Sequence, residues 1–454
     1  MLAKSLSYKS VSAWIYLLVI VLIAGANFNV KRWKELGVID WDVIGYYAYL
    51  PSTFIYHDYK LNFLEQYPEF GAEKKFWPLI APNGKRVNKF SMGMSVLYAP
   101  FFFAAHIRSQ VMESNANGFS WYYHKYVHLS CLFYLAVGLY FLRLFLLRRF
   151  SEWSVACTLL LVCLATNLFY YSTTEAAMSH AYSFSLSALL LYATQRWYES
   201  QHIRHALYVG LFLGLLVLVR PINGLFVLFP LLYGLKSFSL AGEQLRLFAA
   251  KSGHLVLAAA TAFLVVLPQL LYWKSVTGQY LFFSYIGERF YFLQPHILSG
   301  MFSFRNGWLV YTPAMLLAFA GLYRMLRNGS SLLYAVALPF FIYLFIAFSW
   351  WCWWYVGFGN RSMIDLYAVL SIPVAVFFQF AFQSGRSWTI SAVVILVLTM
   401  GLNLFQTLQY RRGLIHYDSM TWPAYKAIFG KLHYNEAYKS ALQQPDYERA
   451  MKGE

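Results

Sequence analysis

Two aspartates stand about ten residues past the first apolar run, in Ile39-Asp40-Trp41-Asp42-Val43-Ile44-Gly45-Tyr46-Tyr47. Acidic groups at a membrane–water boundary are costly to leave without a task or a partner. A carboxylate at the mouth of a cleft can take a proton from an incoming hydroxyl, and partial desolvation raises its basicity. Asp42 is the first candidate for such a base and Asp40 the second. The pair also spells Asp-x-Asp, the pattern by which soluble nucleotide-sugar transferases hold a metal and a diphosphate. A Mg or Mn ion shared by Asp40 and Asp42 is therefore the alternative chemistry. A structural role is open too, because Asp42 precedes an amphipathic segment, 43–56, that it could cap.

Cations come next. Lys85, Arg86 and Lys89 close the same polar loop just before the chain turns apolar again. A lipid-phosphate substrate needs positive charge at this depth, on the face that carries the base, whereas ordinary headgroup snorkelling needs the same residues for nothing more. Arg220, Arg305 in Arg305-Asn306-Gly307 and Arg361 in Gly359-Asn360-Arg361 are further candidates, since arginine grips phosphate bidentately and glycine lets backbone approach a ligand. His57 and Asp58 could border an acceptor cleft or form a solvated helix end. Glu175 and His180, in Thr174-Glu175-Ala176-Ala177-Met178-Ser179-His180, fall near one helical face and offer acceptor contacts or a structural network. Trp350, Trp351, Trp353 and Trp354 read as an interfacial belt, although tryptophan also stacks on sugar rings.

The elements that must hold these residues are membrane helices. The chain has 454 residues, 59% hydrophobic and only 12% charged, with a mean hydropathy of +0.48, too little charge to cover a soluble surface. Runs long enough to cross about 30 Å of hydrocarbon recur at 12–30, 125–147, 153–171, 176–196, 206–219, 221–235, 254–273, 307–326, 331–351, 362–384 and 388–409. The first run lacks a cleavage site and reads as a retained helix. The net charge of +17 is dispersed over helix ends, which fits positive-inside topology and anionic membrane lipids and gives no stripe for nucleic acid. Cys131, Cys157, Cys163 and Cys352 lie in or beside apolar runs and read as packed thiols. With residues 1–11 inside, the Lys/Arg bias of the short loops favours an interfacial or re-entrant 91–112, and it places 31–124, 172–180, 274–306 and 350–361 on one outer face. Pro221 breaks the run after Arg220 and puts that arginine on the same face. No repeat and no glycine-rich phosphate loop is present, so residues 1–410 read as one transmembrane domain and 411–454 as an outer tail whose last ten residues are expected to be disordered.

Taken in order, Asp42-x-x-Gly45-Tyr46-Tyr47-Ala48-Tyr49-Leu50-Pro51, Asn88-Lys89-Phe90-Ser91-Met92-Gly93, Val219-Arg220-Pro221-x-Asn223, Ser303-Phe304-Arg305-Asn306-Gly307 with Thr312-Pro313, and Phe358-Gly359-Asn360-Arg361 resemble the GT-C superfamily of membrane glycosyltransferases. The likeness is to bacterial members akin to dolichol-phosphate-mannose mannosyltransferases and lipid A aminoarabinose transferases, and it spans roughly residues 12–410. It implies an all-α bundle of about 11–13 transmembrane helices, with amphipathic interfacial helices in the first outer loop. It implies an active site on the periplasmic face of a bacterial inner membrane. The donor would be a polyprenyl-phosphate sugar, and the acceptor a glycan, lipid or protein. Reaction would proceed with inversion, with Asp42 as base and Lys89 on the lipid phosphate; relatives differ in whether they need a divalent metal. A transporter of lipid-linked sugars would need midplane charges and pseudo-two-fold repeats, and neither is evident. A non-catalytic envelope-assembly protein would find Asp42 dispensable.

Overall fold

The structure, a computed structural model, describes residues 10–67, 76–434 and 436–453. Helices make up nearly all of its regular structure. In chain order they are α1 (Val11–Val30), α2 (Asp42–Tyr47), α3 (Tyr49–Phe54), α4 (Gly93–Val111), α5 (Trp121–Leu146), α6 (Glu152–Leu164), α7 (Leu168–Thr173), α8 (Ser179–Ser200), α9 (Ile203–Val219), α10 (Leu228–Leu232), α11 (Ala241–Ala250), α12 (Ser252–Thr277), α13 (Ile297–Phe302), α14 (Trp308–Tyr311), α15 (Leu316–Arg327), α16 (Leu333–Phe348), α17 (Tyr367–Gln383), α18 (Arg386–Arg411), α19 (Trp422–Ile428), α20 (Glu436–Ala441) and α21 (Tyr447–Lys452). One small antiparallel hairpin, Leu79–Ile80 with Arg86–Val87, interrupts the first polar loop. Among the described residues, five helical stretches are individually long and apolar enough to cross a bilayer, and four shorter apolar helices accompany them. The chain is an all-α, multi-pass membrane protein.

The helices break where the backbone loses a donor or gains a side-chain competitor. Pro221 ends α9 by forcing Arg220 into an extended conformation and starting a 3₁₀ turn, Pro221–Val227. The run 307–326 is likewise divided, with α14, a short turn from Pro313 to Met315, and then α15. The run 153–171 splits after Leu164, whose carbonyl accepts from Asn403 Nδ2 of α18 at 2.9 Å. Such repairs matter in hydrocarbon, where no water satisfies a freed carbonyl. Buried tyrosines supply others: Tyr343 donates to the Ser362 carbonyl, Tyr311 to that of Phe304 and Tyr98 to that of Ala177. All four cysteines are free and buried, as packed thiols should be.

Three expectations change. Segment 43–56 is not a helix lying on lipid. It forms two short helices, α2 and α3, and every residue from Val43 to Ser52 is buried, because its tyrosines turn their hydroxyls to protein carbonyls: Tyr49 to Phe90 and Tyr47 to Gly118. Within segment 91–112, Gly93–Val111 is one continuous helix, α4, which removes the re-entrant alternative and leaves the interfacial one. The end of the chain, expected to be disordered, forms α21, anchored by Tyr447 Oη donating to Asp418 Oδ2 at 2.6 Å.

Gly93 positions the first loop. A Cβ there would strike the backbone of Leu218 and Val219 at the end of α9, and Ser91 Oγ donates to the Leu218 carbonyl at 2.7 Å. The loop that carries Lys89 is thereby laid against the break that carries Arg220. Gly93→Val is expected to cost about 1–3 kcal/mol through overpacking, read as a lower unfolding midpoint of the purified protein. An unchanged midpoint would mean that this crossing yields freely.

Candidate active site

Asp42 is the first residue of α2, and Trp41 before it holds a positive φ of 51°. That conformation is rare for a bulky residue and is tolerated only where the surroundings fix it. The Asp42 side chain does not cap its helix. It forms an ion pair instead, with Arg361 Nη2 at 3.0 Å from Oδ2; the two side chains remain 33% and 22% exposed. Arg361 is placed by the turn before it. Gly359 has φ +60°, open to glycine and strained for other residues. Buried Asn360 donates from Nδ2 to the Trp353 carbonyl at 3.0 Å and accepts from Ser362 Oγ at 2.6 Å, fixing the turn from both sides.

Arg220 approaches from the break after α9. Its Nη1 lies 2.8 Å from Asp365 Oδ2 and 3.0 Å from His180 Nδ1. Asp365 is fully buried. It also accepts from Tyr343 Oη at 3.2 Å and has His180 Nδ1 3.1 Å from its other oxygen. A single ring nitrogen cannot both donate to Asp365 and accept from Arg220, so His180 serves one of them at a time. Arg220 itself stays 21% exposed. Its guanidinium is thus pinned by a buried carboxylate while the side chain keeps some exposure.

Lys89 completes the group. Its Nζ is 2.6 Å from Glu288 Oε1 and 4.8 Å from the ring centre of Tyr285, and Trp351 Nε1 donates to Glu288 Oε2 at 2.9 Å. Tyr46 and Tyr285 lie between these charges. Burial pushes the Tyr285 hydroxyl up to about 12, within the fields of Arg220, Asp42, Glu288 and Arg361. Burial also raises that of Tyr46, with Asp42 and Arg361 as its nearest charges. Both phenols are therefore neutral hydrogen-bond donors at physiological pH.

The structure thus brings together Asp42, Arg361, Arg220 and Lys89, with His180 against Arg220, and turns the other candidates elsewhere. Asp40 lies in the electrostatic field of Arg32, which is ion-paired with Glu175. Glu175 and His180 share a stretch of chain but turn to different partners. Asp58 orders its own loop, accepting from Phe63 N at 2.7 Å and Lys60 N at 3.1 Å, and neighbouring His57 is exposed. Arg86 pairs with Glu65 at 2.9 Å. Arg305 donates to the Gln443 carbonyl at 2.8 Å, in the tail. Trp351 and Trp354 pack within the protein rather than forming a lipid belt: Trp354 is buried, and Trp351 binds Glu288.

Both carboxylates that could share a divalent ion face positive side chains. Asp42 pairs with the Arg361 guanidinium, Asp40 lies in the field of Arg32, and Glu288 is matched to Lys89. No group of three or more His, Cys, Asp or Glu side chains converges among the described residues. Asp365, Glu288 and Tyr285 escaped the sequence reading. Asp365 carried a usable signal, an acid inside an apolar run. Glu288 and Tyr285 carried none.

The chain matches no protein-family model and no curated protein. It is similar to solved structures of archaeal oligosaccharyltransferase. One is AglB from Archaeoglobus fulgidus in complex with an inhibitory peptide and a dolichol-phosphate, with a TM-score of 0.51 at 14% identity, over 92% of this chain and 57% of that one. Another is the Archaeoglobus fulgidus oligosaccharyltransferase in complex with Zn and sulfate, with a TM-score of 0.49 at 14% identity, over 92% and 55%. The chain spans little more than half the length of these proteins, and the likeness is one of fold.

Proposed function

We propose that this protein is an inverting glycosyltransferase that moves a sugar from a polyprenyl-phosphate donor to a glycan, lipid or protein acceptor at the outer face of the membrane. The observation that carries the reading is a partly open carboxylate, Asp42, set among Arg361, Arg220 and Lys89 in a GT-C fold. The AglB structure, which holds a dolichol-phosphate, supports a lipid-phosphate ligand for this architecture.

The acceptor hydroxyl attacks the anomeric carbon, the sugar–phosphate C–O bond breaks, and polyprenyl phosphate leaves with the bridging oxygen. Asp42 takes the hydroxyl proton. Charge builds on the departing phosphate, where Arg361 and Arg220 stabilise it; donors already fixed in place need little reorganisation as the charge develops. Arg220 suits this task because Asp365 holds one edge of it. Lys89 gives up Glu288 if it reaches the phosphate, so it ranks behind the two arginines. Two substrates oriented at one membrane surface supply much of the remaining acceleration.

Turnover by the purified protein, assayed with a panel of polyprenyl-phosphate sugars and envelope acceptors, tests the assignment. Failure with every donor, in a folded sample, would overturn it. Orientation in a bacterial inner membrane is tested separately. All native cysteines are buried, so background labelling is low. A cysteine at Leu293, 98% exposed in the loop after α12, is expected to react with a membrane-impermeant thiol reagent in spheroplasts, and one at Ser252, at the other end of α12, to be protected. The reverse pattern would place the site in the cytoplasm.

A further inference from the structure

A cavity of about 270 Å³ is formed where the tryptophan turn meets the tail. Its walls alternate aromatic and charged groups. Trp353 and Trp354 meet at 90° with ring centres 5.5 Å apart, so two indoles form perpendicular walls. Trp354 is braced by Tyr447 at 5.6 Å, and the guanidinium of Arg305 lies 5.9 Å from its ring. His296, Asp446 and Arg449 complete the rim. Arg305 Nε is buried and makes no hydrogen bond within the protein, and a buried donor of that kind calls for a partner.

Two short links tie this cavity to the proposed reaction centre. Trp351, on its wall, donates to Glu288, which holds Lys89. Trp353 gives its carbonyl to Asn360, the residue before Arg361. The cavity wall is thus hydrogen-bonded to the residues that hold Lys89 and precede Arg361.

We infer that this cavity is a saccharide-binding subsite that holds the acceptor glycan; the acceptor part rests on the glycosyl-transfer reading above. A pyranose ring has apolar C–H faces and a polar edge. Indole faces pack on the former, and guanidinium and carboxylate groups bond vicinal hydroxyls at the latter. A lipid chain would leave Arg305 Nε unanswered. The volume fits a piece of glycan smaller than a drug-sized ligand. The tail, with no part in the charged cluster, supplies nearly half the walls, which gives it a task in acceptor choice.

The test is saturation-transfer NMR on the full-length protein in detergent, without donor, against a panel of soluble mono- to tetrasaccharides that includes amino sugars and uronic acids. At least one saccharide is expected to bind, with its Kd raised about tenfold in Trp353→Ala and raised also in Asp446→Asn. The asparagine can still accept from Arg449 N as Asp446 does at 3.0 Å, so α21 keeps its cap while the charge is lost. Trp353→Phe should recover part of the affinity. Trp153→Ala, which removes a 62% exposed indole on α6, should change nothing. Absence of saccharide binding, binding indifferent to both cavity variants, or binding of short peptides in place of sugars would overturn the inference. Displacement of the saccharide by a polyprenyl-phosphate sugar, lost in the same variants, would overturn the acceptor assignment. Because no donor is present, saccharide binding in a protein that never transfers sugar would uphold the cavity and sink only the catalytic reading.

Discussion

Asp42→Asn is expected to lower kcat at least about 100-fold, the lower range for a positioned general base, while donor affinity stays the same or rises. Asparagine preserves the volume and can still accept a hydrogen bond from Arg361, but it cannot take the hydroxyl proton. It also frees the Arg361 charge, now balanced by the carboxylate at 3.0 Å, so an anionic donor meets a less neutralised site. The two roles open to Asp42 separate on this point. If its task is only to anchor Arg361, the substitution disturbs phosphate binding, and KM for the donor rises with kcat nearly kept. If it is the base, kcat falls and KM does not rise. Asp40→Asn should have the smaller effect, because the charge of Asp40 acts on Arg32, which pairs with Glu175. Wild-type turnover by Asp42→Asn would remove the base from the mechanism.

The helices are legible in the sequence because an apolar run of bilayer length has little else to be but a span, and the break at Arg220-Pro221 because proline acts locally. The burial of α2 and α3 is not legible. Tyr46, Tyr47 and Tyr49 have the composition of an interfacial belt, and a tyrosine whose hydroxyl finds a buried carbonyl looks the same in sequence. The pairing of Asp42 with Arg361 is invisible for another reason. Each residue stands out alone, but they come from opposite ends of the chain and meet only through the packing of the whole bundle. Arg305 shows the converse. It shares the Arg-Asn-Gly pattern that suggests a phosphate grip, yet the tail, which sequence places only loosely, captures it through Gln443. Asp365 is hidden because run 362–384 stands out by its mean hydropathy, and one carboxylate hardly moves a mean.

Asp365 carries the other large expected effect, and its signature is different. Its carboxylate is fully buried and holds Arg220 at 2.8 Å, with Tyr343 and His180 on its remaining lone pairs. It touches no open space, so it is a positioning residue. Asp365→Leu removes one partner of a largely buried ion pair and leaves an uncompensated guanidinium, a loss of about 3–5 kcal/mol. The unfolding midpoint should drop steeply. Arg220→Met leaves the carboxylate unpaired instead, but a carboxylate can neutralise itself by taking up a proton, so the damage should be milder. The double variant should recover much of the lost stability, because neither charge then remains without its partner. Activity should not recover with it. If Arg220 stabilises the departing phosphate, the double variant folds and still transfers slowly, its loss matching that of Arg220→Met alone, on the order of 1.5–3 kcal/mol for one charge-assisted contact. A double variant with restored stability and restored turnover would show that the Arg220–Asp365 pair holds the bundle together and that the phosphate is held by Arg361 without it.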